Sequence, residues 1–328
     1  MKLLRTLGHR FKNYFNSNST GESITQHDSG MGGATGNPQV TPADLGPLTE
    51  QYKMLAEQNR FILFELRRIN ESARSEQLSA VDPIEADRLQ TCSSFDYQWS
   101  DFHTGVAMSN DEKFMENLQS LICQITDLPR DWFSGKSAVD IGCGAGRFSF
   151  GLLSLGAKVT ACDQSLAALQ RVADLCKPYA DRLSTRQIDL LRWDEAAHYD
   201  LGFCFGVVHH TGNTYLAIRN AARKVKPGGR LFLMVYGFPQ TLSDFAEINS
   251  YEELRYRLRL LSFEERKKAL IEQFGAHLAH GWFDATSPRL NDLLTFDEIA
   301  VLLSRLGFKN VKRTLPHRNH HLVADRAQ

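Results

Sequence analysis

A glycine-rich loop is the first place where this sequence could bind a reactive small molecule. The segment Val139-Asp-Ile-Gly-Cys-Gly-Ala-Gly146 follows a predicted strand and opens a predicted helix. Glycines there let the backbone turn sharply and approach a ligand without interference from a Cβ atom. Dinucleotide sites need a further glycine where Arg147 stands, and Asp140 is unsuited to a pyrophosphate. An acid suits a ligand with a positive group, and S-adenosylmethionine carries an ammonium and a sulfonium but no phosphate.

Two further acids follow predicted strands. Asp163 ends the second strand, where a carboxylate can hydrogen-bond both hydroxyls of a ribose in either cofactor class. Asp189 ends the third strand and is predicted to receive the exocyclic amine of an adenine. A simple loop or capping acid explains Asp189 almost equally well.

Groups that could move a proton follow the fourth and fifth strands. His209 and His210 come directly after strand four, at the edge of the sheet where ligands bind in such folds. Either one is a candidate general base, because histidine titrates near neutral pH, and shaping of the pocket is the alternative role. Tyr236 leaves strand five and is a candidate substrate contact, with packing at the strand end as the alternative.

The elements that must position these residues alternate between strand and helix. The predicted strands are 137–141, 158–162, 183–188, 200–205, 230–236, 309–314 and 320–324, and the predicted helices between them are 147–155, 167–176, 214–225 and 295–306. Short strand-to-helix connections produce a doubly wound, mostly parallel sheet. The sequence therefore predicts an α/β fold around a seven-stranded sheet.

Segments outside this alternation divide the rest of the chain. Charged helical sequence at 238–289 predicts a helical insertion after strand five within a domain spanning 91–328. A helical segment is predicted at 48–90, with a polar connection at 71–90. Residues 16–47 are rich in Ser, Thr, Gly, Asn and Pro, which predicts a flexible linker.

Residues 1–15 predict a basic amphipathic helix. Apolar residues recur at helical spacing, and basic residues fill the other face with no acid present. This pattern is typical of a helix at an anionic membrane surface, and docking on the chain's own domain or on a partner is the alternative. The prediction is a cytoplasmic protein with a weak contact to the inner membrane surface, since no signal peptide or membrane span is visible.

The segment 48–69 carries an unbroken heptad pattern. Six apolar residues and Asn59 alternate in steps of four and three, at positions 48, 52, 55, 59, 62, 66 and 69. Asn59 then occupies an a position, where a buried amide commonly fixes register and the number of strands. The pattern predicts either a homodimer through this helix or packing of the helix on the catalytic domain, because Phe61, Leu63 and Phe64 widen the apolar stripe.

Composition argues against a nucleic-acid-binding protein and against a metal site. Among 328 residues, 38 basic side chains balance 38 acidic ones, and a neutral chain disfavours constitutive binding to nucleic acid. The six cysteines form no C-x-x-C pair, and no His/Cys cluster has zinc spacing, so no metal is predicted.

Four motifs together resemble the class I (Rossmann-like) S-adenosylmethionine-dependent methyltransferases. The glycine-rich loop is similar to that family's first motif, and Lys224-Val-Lys-Pro-Gly-Gly-Arg-Leu231 is similar to its turn into strand five. Phe205-Gly-Val-Val-His-His-Thr-Gly212 and Phe95-Asp-Tyr-Gln-Trp99 resemble segments of a subgroup that acts on small molecules, lipids or glycans.

This resemblance implies a cofactor and a set of contacts. It assigns the methionine end of S-adenosylmethionine to Asp140, Gly142, Gly144 and Gly146, the ribose to Asp163, the adenine to Asp189, and a substrate contact to Trp99. The expected reaction is O-methylation of a metabolite, a lipid-linked intermediate or a sugar. A tRNA-directed transferase and a noncatalytic scaffold are the alternatives.

Overall fold

A seven-stranded sheet forms the centre of the computed structural model, which describes residues 45–78, 82–101, 112–196 and 198–328. The strand order is β3-β2-β1-β4-β5-β7-β6. The strands are β1 (Ser137–Ile141), β2 (Lys158–Asp163), β3 (Leu183–Gln187), β4 (Tyr199–Phe205), β5 (Val225–Val235), β6 (Phe308–Arg313) and β7 (His320–Arg326). Strands β1 to β5 are parallel, and β7 pairs antiparallel with both β5 and β6. The predicted doubly wound, mostly parallel sheet is confirmed.

Helices cover both faces of this sheet. The α-helices of the described residues are α1 (Leu45–Leu78), α2 (Pro83–Asp101), α3 (Glu112–Thr126), α4 (Arg147–Ser154), α5 (Leu166–Leu175), α6 (Thr214–Ala222), α7 (Leu242–Leu258), α8 (Phe263–Phe274), α9 (Ala276–Thr286) and α10 (Phe296–Arg305). Each predicted strand and each predicted helix between strands lies within a few residues of an observed element.

The core lies in two layers because successive side chains of a strand point to opposite faces. Ala138 of β1 and Phe203 of β4 pack with α3, α4 and α5 on one face. Val139 of β1 and Cys204 of β4 pack with α6 and α10 on the other. Burial on both faces explains why these strands are nearly continuous apolar runs in the sequence.

The strand order reverses direction beside β1. From β1 the chain builds outward through β2 to β3, and it then crosses back to place β4 on the other side of β1. In open parallel sheets this crossing leaves a crevice at the carboxyl ends of the two central strands, where ligands bind. The loops that follow β1, β2, β3 and β4 therefore converge on one place.

The predicted helical insertion consists of α7, α8 and α9. These helices have a small core of their own, which includes Leu258, Leu270 and Phe283. Thr241 and Ser262 cap α7 and α8 with reciprocal side-chain-to-backbone hydrogen bonds, which fixes where each helix begins.

The segment before the sheet is more helical than predicted. Helix α1 continues to Leu78, so much of the polar connection 71–90 within the predicted helical segment 48–90 is itself helical. Residues 71–78 lack apolar periodicity but consist mainly of good helix formers, which is why the pattern missed them. Asp82 then caps α2 through the Ile84 N–H at 2.9 Å, and Pro83 occupies the first helical turn. Helix α2 runs through position 91, and the division there into a helical segment and a domain stays a prediction.

Helix α1 packs on the insertion through one of its faces. The ring of Phe61 lies 5.9 Å from that of Phe245 of α7, and the side-chain amide of Asn249 donates to the Glu57 carboxylate at 2.6 Å. Packing of this helix on the catalytic domain is therefore confirmed. The helix also begins at Leu45, so the last residues of the predicted linker 16–47 are helical. The predicted helix 1–15 and residues 16–44 lie outside the described residues.

Candidate active site

A cavity that opens to solvent occupies the crevice at the carboxyl ends of the parallel strands. Its sheet side is formed by the ends of β1, β2 and β4 and by the loop after β3, including Gly142, Asp163, Ile188 and Phe205. Its other side is formed by one face of α2 and by Asp284 of α9.

The glycine-rich loop has the backbone geometry that its sequence predicts. Gly142 and Gly144 line the cavity with φ values of 70° and 50°, in the left-handed region that favours glycine. A Cβ atom on Gly144 would lie 2.8 Å from Cζ2 of Trp99, so the loop also needs glycine for space. Gly146, at φ 89°, is the residue before α4 and does not line the cavity.

Asp140 is buried beneath this loop and does not line the cavity. Its carboxylate accepts a hydrogen bond from the Ser149 hydroxyl of α4 at 2.7 Å. Burial raises the pKa of Asp140 to about 7. The prediction that Asp140 and Gly146 directly line the methionine end is therefore not what the structure shows, because both lie behind the loop and support it.

Asp163 lines the cavity at the end of β2. Its Oδ2 accepts the Gly144 N–H at 3.0 Å, and its Oδ1 accepts the Ser165 N–H at 2.9 Å. Burial raises the pKa of Asp163, and hydrogen bonds from backbone N–H groups act in the opposite direction. An ionised carboxylate has about four lone-pair sites, so one site on each oxygen is left for a ligand. This arrangement matches a pair of ribose hydroxyls.

Asp189 also lines the cavity, but it shares its carboxylate with other groups. The guanidinium of Arg88 on α2 lies 3.5 Å from Oδ2, and the backbone N–H of Leu191 donates to Oδ1 at 3.0 Å. The neighbouring lining residues Ile188, Leu190 and Leu191 are apolar and suit a flat base. Asp189 therefore lies on the wall of the cavity beside apolar residues that suit an adenine. Its carboxylate also caps its own loop through the Leu191 N–H.

Of the two candidate histidines, only His210 lines the cavity. Its Nδ1 lies 2.7 Å from the backbone oxygen of Leu290, and a carbonyl oxygen only accepts, so Nδ1 carries the hydrogen. Nε2 is then the nitrogen left to accept a proton. Burial lowers the pKa of His210 to about 4, which keeps the ring neutral at pH 7 but makes it a weak base.

His209 and Tyr236 pack together away from the cavity. Their rings stack at 3.8 Å between centroids, and neither residue lines the cavity. Burial lowers the pKa of His209 well below its ordinary value and raises that of Tyr236. The substrate contact at Tyr236 therefore stays a prediction, and the structure shows this ring packed on His209 outside the cavity lining. His209 likewise lies where it cannot act directly on a molecule in the cavity.

Helix α2 supplies an aromatic wall from outside the sheet. Its cavity residues recur on one helical face, and they are Arg88, Thr91, Cys92, Phe95 and Trp99. The ring of Phe95 meets His210 edge-on at 5.0 Å between centroids. The predicted substrate contact at Trp99 is thus placed in the cavity, over the glycine-rich loop.

Sequence reasoning missed Asp284. This residue lines the cavity from α9, and the side chain of Gln98 on α2 hydrogen-bonds its carboxylate. Burial raises the pKa of Asp284 to about 6. The available signal was modest: Asp284 is the one acid in α9, directly after the buried Trp282 and Phe283. A carboxyl group with a raised pKa in a cleft is a candidate proton acceptor.

No cluster of three or more metal-ligating side chains occurs within the described ranges. In the same ranges, no helix has the length and apolar character to cross a membrane.

The fold and the cavity define a class of protein, and a family comparison agrees with it. Residues 139–231 match the family described as "Methyltransferase domain". Residues 139–231 are therefore similar to a methyltransferase domain, and the resemblance seen in the sequence motifs is confirmed for this segment.

Individual relatives are similar over the same region. A ubiquinone biosynthesis O-methyltransferase of Coxiella burnetii is 33% identical over 104 residues, which is 30% of this chain and 42% of that protein. The corresponding protein of Xanthomonas oryzae pv. oryzae is 31% identical over 102 residues, covering 30% and 43%. The chain thus spans less than half the length of these curated relatives. Among solved structures, magnesium protoporphyrin IX methyltransferase from Synechocystis PCC 6803 with bound SAH has a TM-score of 0.46 at 17% identity, covering 73% of this chain and 98% of that one.

Proposed function

We propose that this protein is an S-adenosylmethionine-dependent methyltransferase that methylates a hydroxyl oxygen of a small molecule, a lipid-linked intermediate or a sugar. The observation that carries the proposal is the pairing of Asp163 with the glycine-rich loop at the floor of the cavity. The carboxylate holds the Gly144 N–H and keeps one lone pair on each oxygen for a ribose. The curated relatives are named as O-methyltransferases, which supports oxygen as the acceptor atom.

The residues present fit the proposed cofactor. Asp163 would hold the ribose, and the apolar residues around Asp189 would hold the adenine. Gly142 and Gly144 leave room for the methionine part, and Asp140 supports their loop from below. When bound, S-adenosylmethionine supplies an electrophilic methyl group whose bond to sulfur breaks as the acceptor oxygen takes its place.

The chain's own contribution is to orient the acceptor and to take its proton. Direct displacement requires the acceptor oxygen in line with the methyl group and about 3 Å away, so positioning alone accounts for much of the rate. Phe95 and Trp99 are placed to orient a flat or apolar acceptor and to exclude water. Asp284 is the better matched general base, because a pKa of about 6 lies closer to neutral pH than the value of about 4 for His210.

The charges in the cavity favour an uncharged acceptor group. Arg88 is the one lysine or arginine among the described lining residues, and Glu85 and Asp189 already pair with it. An acceptor whose phosphate or carboxylate entered the cavity would lack a free cation to bind. The pairing of Arg88 with two acids likewise gives no support to a tRNA-directed transferase, which would need cations free to contact phosphates.

Two finer points of organisation are also proposals. A homodimer through residues 48–69 uses the face of α1 that the insertion leaves uncovered. A weak contact of a cytoplasmic protein with an anionic membrane surface would use residues 1–15.

Methyl transfer can be tested directly on the purified chain. The protein is incubated with methyl-labelled S-adenosylmethionine and fractionated cell extract, and labelled products are separated and tested for the alkali stability of an ether. The Asp163→Ala variant is the matched control. We expect label in a small hydroxyl-bearing compound with the parent chain alone. Tight binding of NADH in place of S-adenosylmethionine would overturn the proposal.

A further inference from the structure

Helix α1 carries two apolar faces, and the residues that the structure describes cover only one of them. The outer face consists of Asn59 and six large apolar side chains, each between 51% and 74% exposed. They are Leu48, Tyr52, Leu55, Ile62, Leu66 and Ile69. We call these seven residues the seam. Scattered exposed apolar residues are normal on a protein surface, but seven positions in strict heptad register over one face of a helix are not.

The inner face fixes the orientation of the helix, so the seam cannot turn inward. Phe61 packs on Phe245, and Glu57 accepts from Asn249. The guanidinium of Arg67 lies 4.7 Å from the ring centroid of Tyr256 on the same helix α7. These contacts anchor α1 to the catalytic part while its seam points away from it.

We propose that the seam pairs with the seam of a second copy of this chain in a parallel two-stranded coiled coil. The positions that flank the seam decide between a second copy and another occupant. Six of the seven flanking positions are uncharged, and Glu65 is the exception; the six are Thr49, Gln51, Ala56, Gln58, Leu63 and Asn70. Two identical helices can approach along such a surface without opposing like charges. A membrane surface would instead select lysine and arginine beside the apolar face.

Asn59 sets the parallel orientation. It occupies the central a position, and in a parallel pair the a position of one helix faces the same a position of its partner. The two Asn59 amides then hydrogen-bond each other. In an antiparallel pair an a position faces a d position, so Asn59 would lie against an aliphatic side chain with its amide unsatisfied. The sequence of the seam therefore favours one orientation and one register.

The pairing leaves both catalytic cavities open. The lining residues described above belong to α2, to the sheet loops and to α9, and none belongs to α1. The seam spans three heptads, roughly 33 Å of helix, with one catalytic domain on the outer side of each α1. Helix α2 follows α1 after a short segment, so the dimer contact lies one helix away from the aromatic wall of each cavity.

The mass of the full chain in solution tests the pairing. Light scattering over a range of concentrations should report twice the chain mass of 37.1 kDa. The double substitution Leu55→Glu with Ile62→Glu should give a single chain, while Leu260→Glu, at an 85% exposed site off the seam, should leave the dimer intact. Asn59→Asp replaces one exposed polar residue by another, so it should fold normally and weaken the dimer at least tenfold. Circular dichroism checks that each variant keeps its helix content.

Disulfide formation tests the orientation. Ile69→Cys places a thiol at one end of the seam, and a parallel pair brings the two thiols together. Oxidation should then join most of the chains in disulfide-linked dimers. The control Lys53→Cys, which lies on α1 but off the seam, should give few such dimers.

Three results would overturn the proposal. A single-chain mass for the full chain at all concentrations would do so, as would a dimer that the seam substitutions leave intact. A chain that dimerises only after removal of residues 1–44 would show that its own N-terminal segment covers the seam. A dimer in which Ile69→Cys does not cross-link would overturn the parallel orientation alone.

Discussion

Replacing Asp163 by alanine should weaken binding of S-adenosylmethionine by roughly 10²- to 10⁴-fold. Each carboxylate oxygen of Asp163 already accepts one backbone N–H and has one lone pair for a ribose hydroxyl. Two hydrogen bonds to a charged group contribute about 1.5–3 kcal/mol each, or about 3–6 kcal/mol together. Every 1.4 kcal/mol corresponds to about a tenfold change in affinity, which gives the stated range. Isothermal titration calorimetry at pH 7.5 measures the dissociation constant.

The same carboxylate also holds the Gly144 N–H, so a loss of affinity could come from a loosened loop. A double-mutant cycle separates the two causes. The parent and Asp163→Ala proteins are each titrated with S-adenosylhomocysteine and with an analogue that lacks both ribose hydroxyls. If Asp163 binds the ribose, removing the hydroxyls should cost affinity in the parent and almost none in the variant. Equal losses in both proteins, or an unchanged affinity of the variant for S-adenosylmethionine, would refute the ribose assignment.

Three further substitutions should have distinct effects. Asp189→Ala should weaken cofactor binding by about tenfold or less in calorimetry, because the Asp189 carboxylate already pairs with Arg88. A loss of affinity as large as that expected for Asp163→Ala would contradict this. Gly144→Ala should abolish cofactor binding, because the added Cβ would lie 2.8 Å from the Trp99 ring and alanine is strained at φ 50°. A normal affinity in calorimetry would contradict this and show that the loop relaxes. Asp284→Asn should lower the rate of methyl transfer by about 10²- to 10⁴-fold at pH 7.5. A base with a pKa of about 6 is protonated and inactive below that pH. The rate of the parent enzyme should therefore fall as the pH is lowered through 6, while the residual rate of the variant should not. If the parent and the variant show the same pH profile, Asp284 is not the base.

The sheet was predictable because its strands are buried on both faces. A strand such as β1 or β4 is a short apolar run that ends in a glycine or a polar loop, and that pattern marks both its type and its end. Helix α1 was recognised by its heptads, but its last eight residues were not, because a solvated helix needs no apolar period there. Packing against α7 could not be predicted either, since it depends on contacts between residues nearly 190 positions apart.

The cofactor side of the site was more predictable than the acceptor side. Asp163 could be placed from its position at the end of a strand, because the topology of the sheet brings that point to the crevice. Asp140 was assigned to the cavity on the strength of its charge, whereas the side chains of adjacent strand residues point to opposite faces, and this one meets Ser149 under the loop. Asp284 reaches the cavity only because α9 packs against α2, which no local pattern in the sequence encodes.

The division of the cavity between the sheet and the added helices separates two kinds of selection. The segment that matches the methyltransferase family, residues 139–231, contains the glycine-rich loop and Asp163, while Trp99 and Asp284 lie on either side of it in the chain. Under the proposed function, most contacts to the methyl donor and several contacts to the compound to be methylated therefore come from different stretches of sequence. A change at Asp284 of α9 is expected to alter the choice of compound more than the binding of the donor, whereas α2 contacts both sides of the cavity through Arg88 and Trp99. Exchange of these two helices between related chains is the corresponding route to altered specificity.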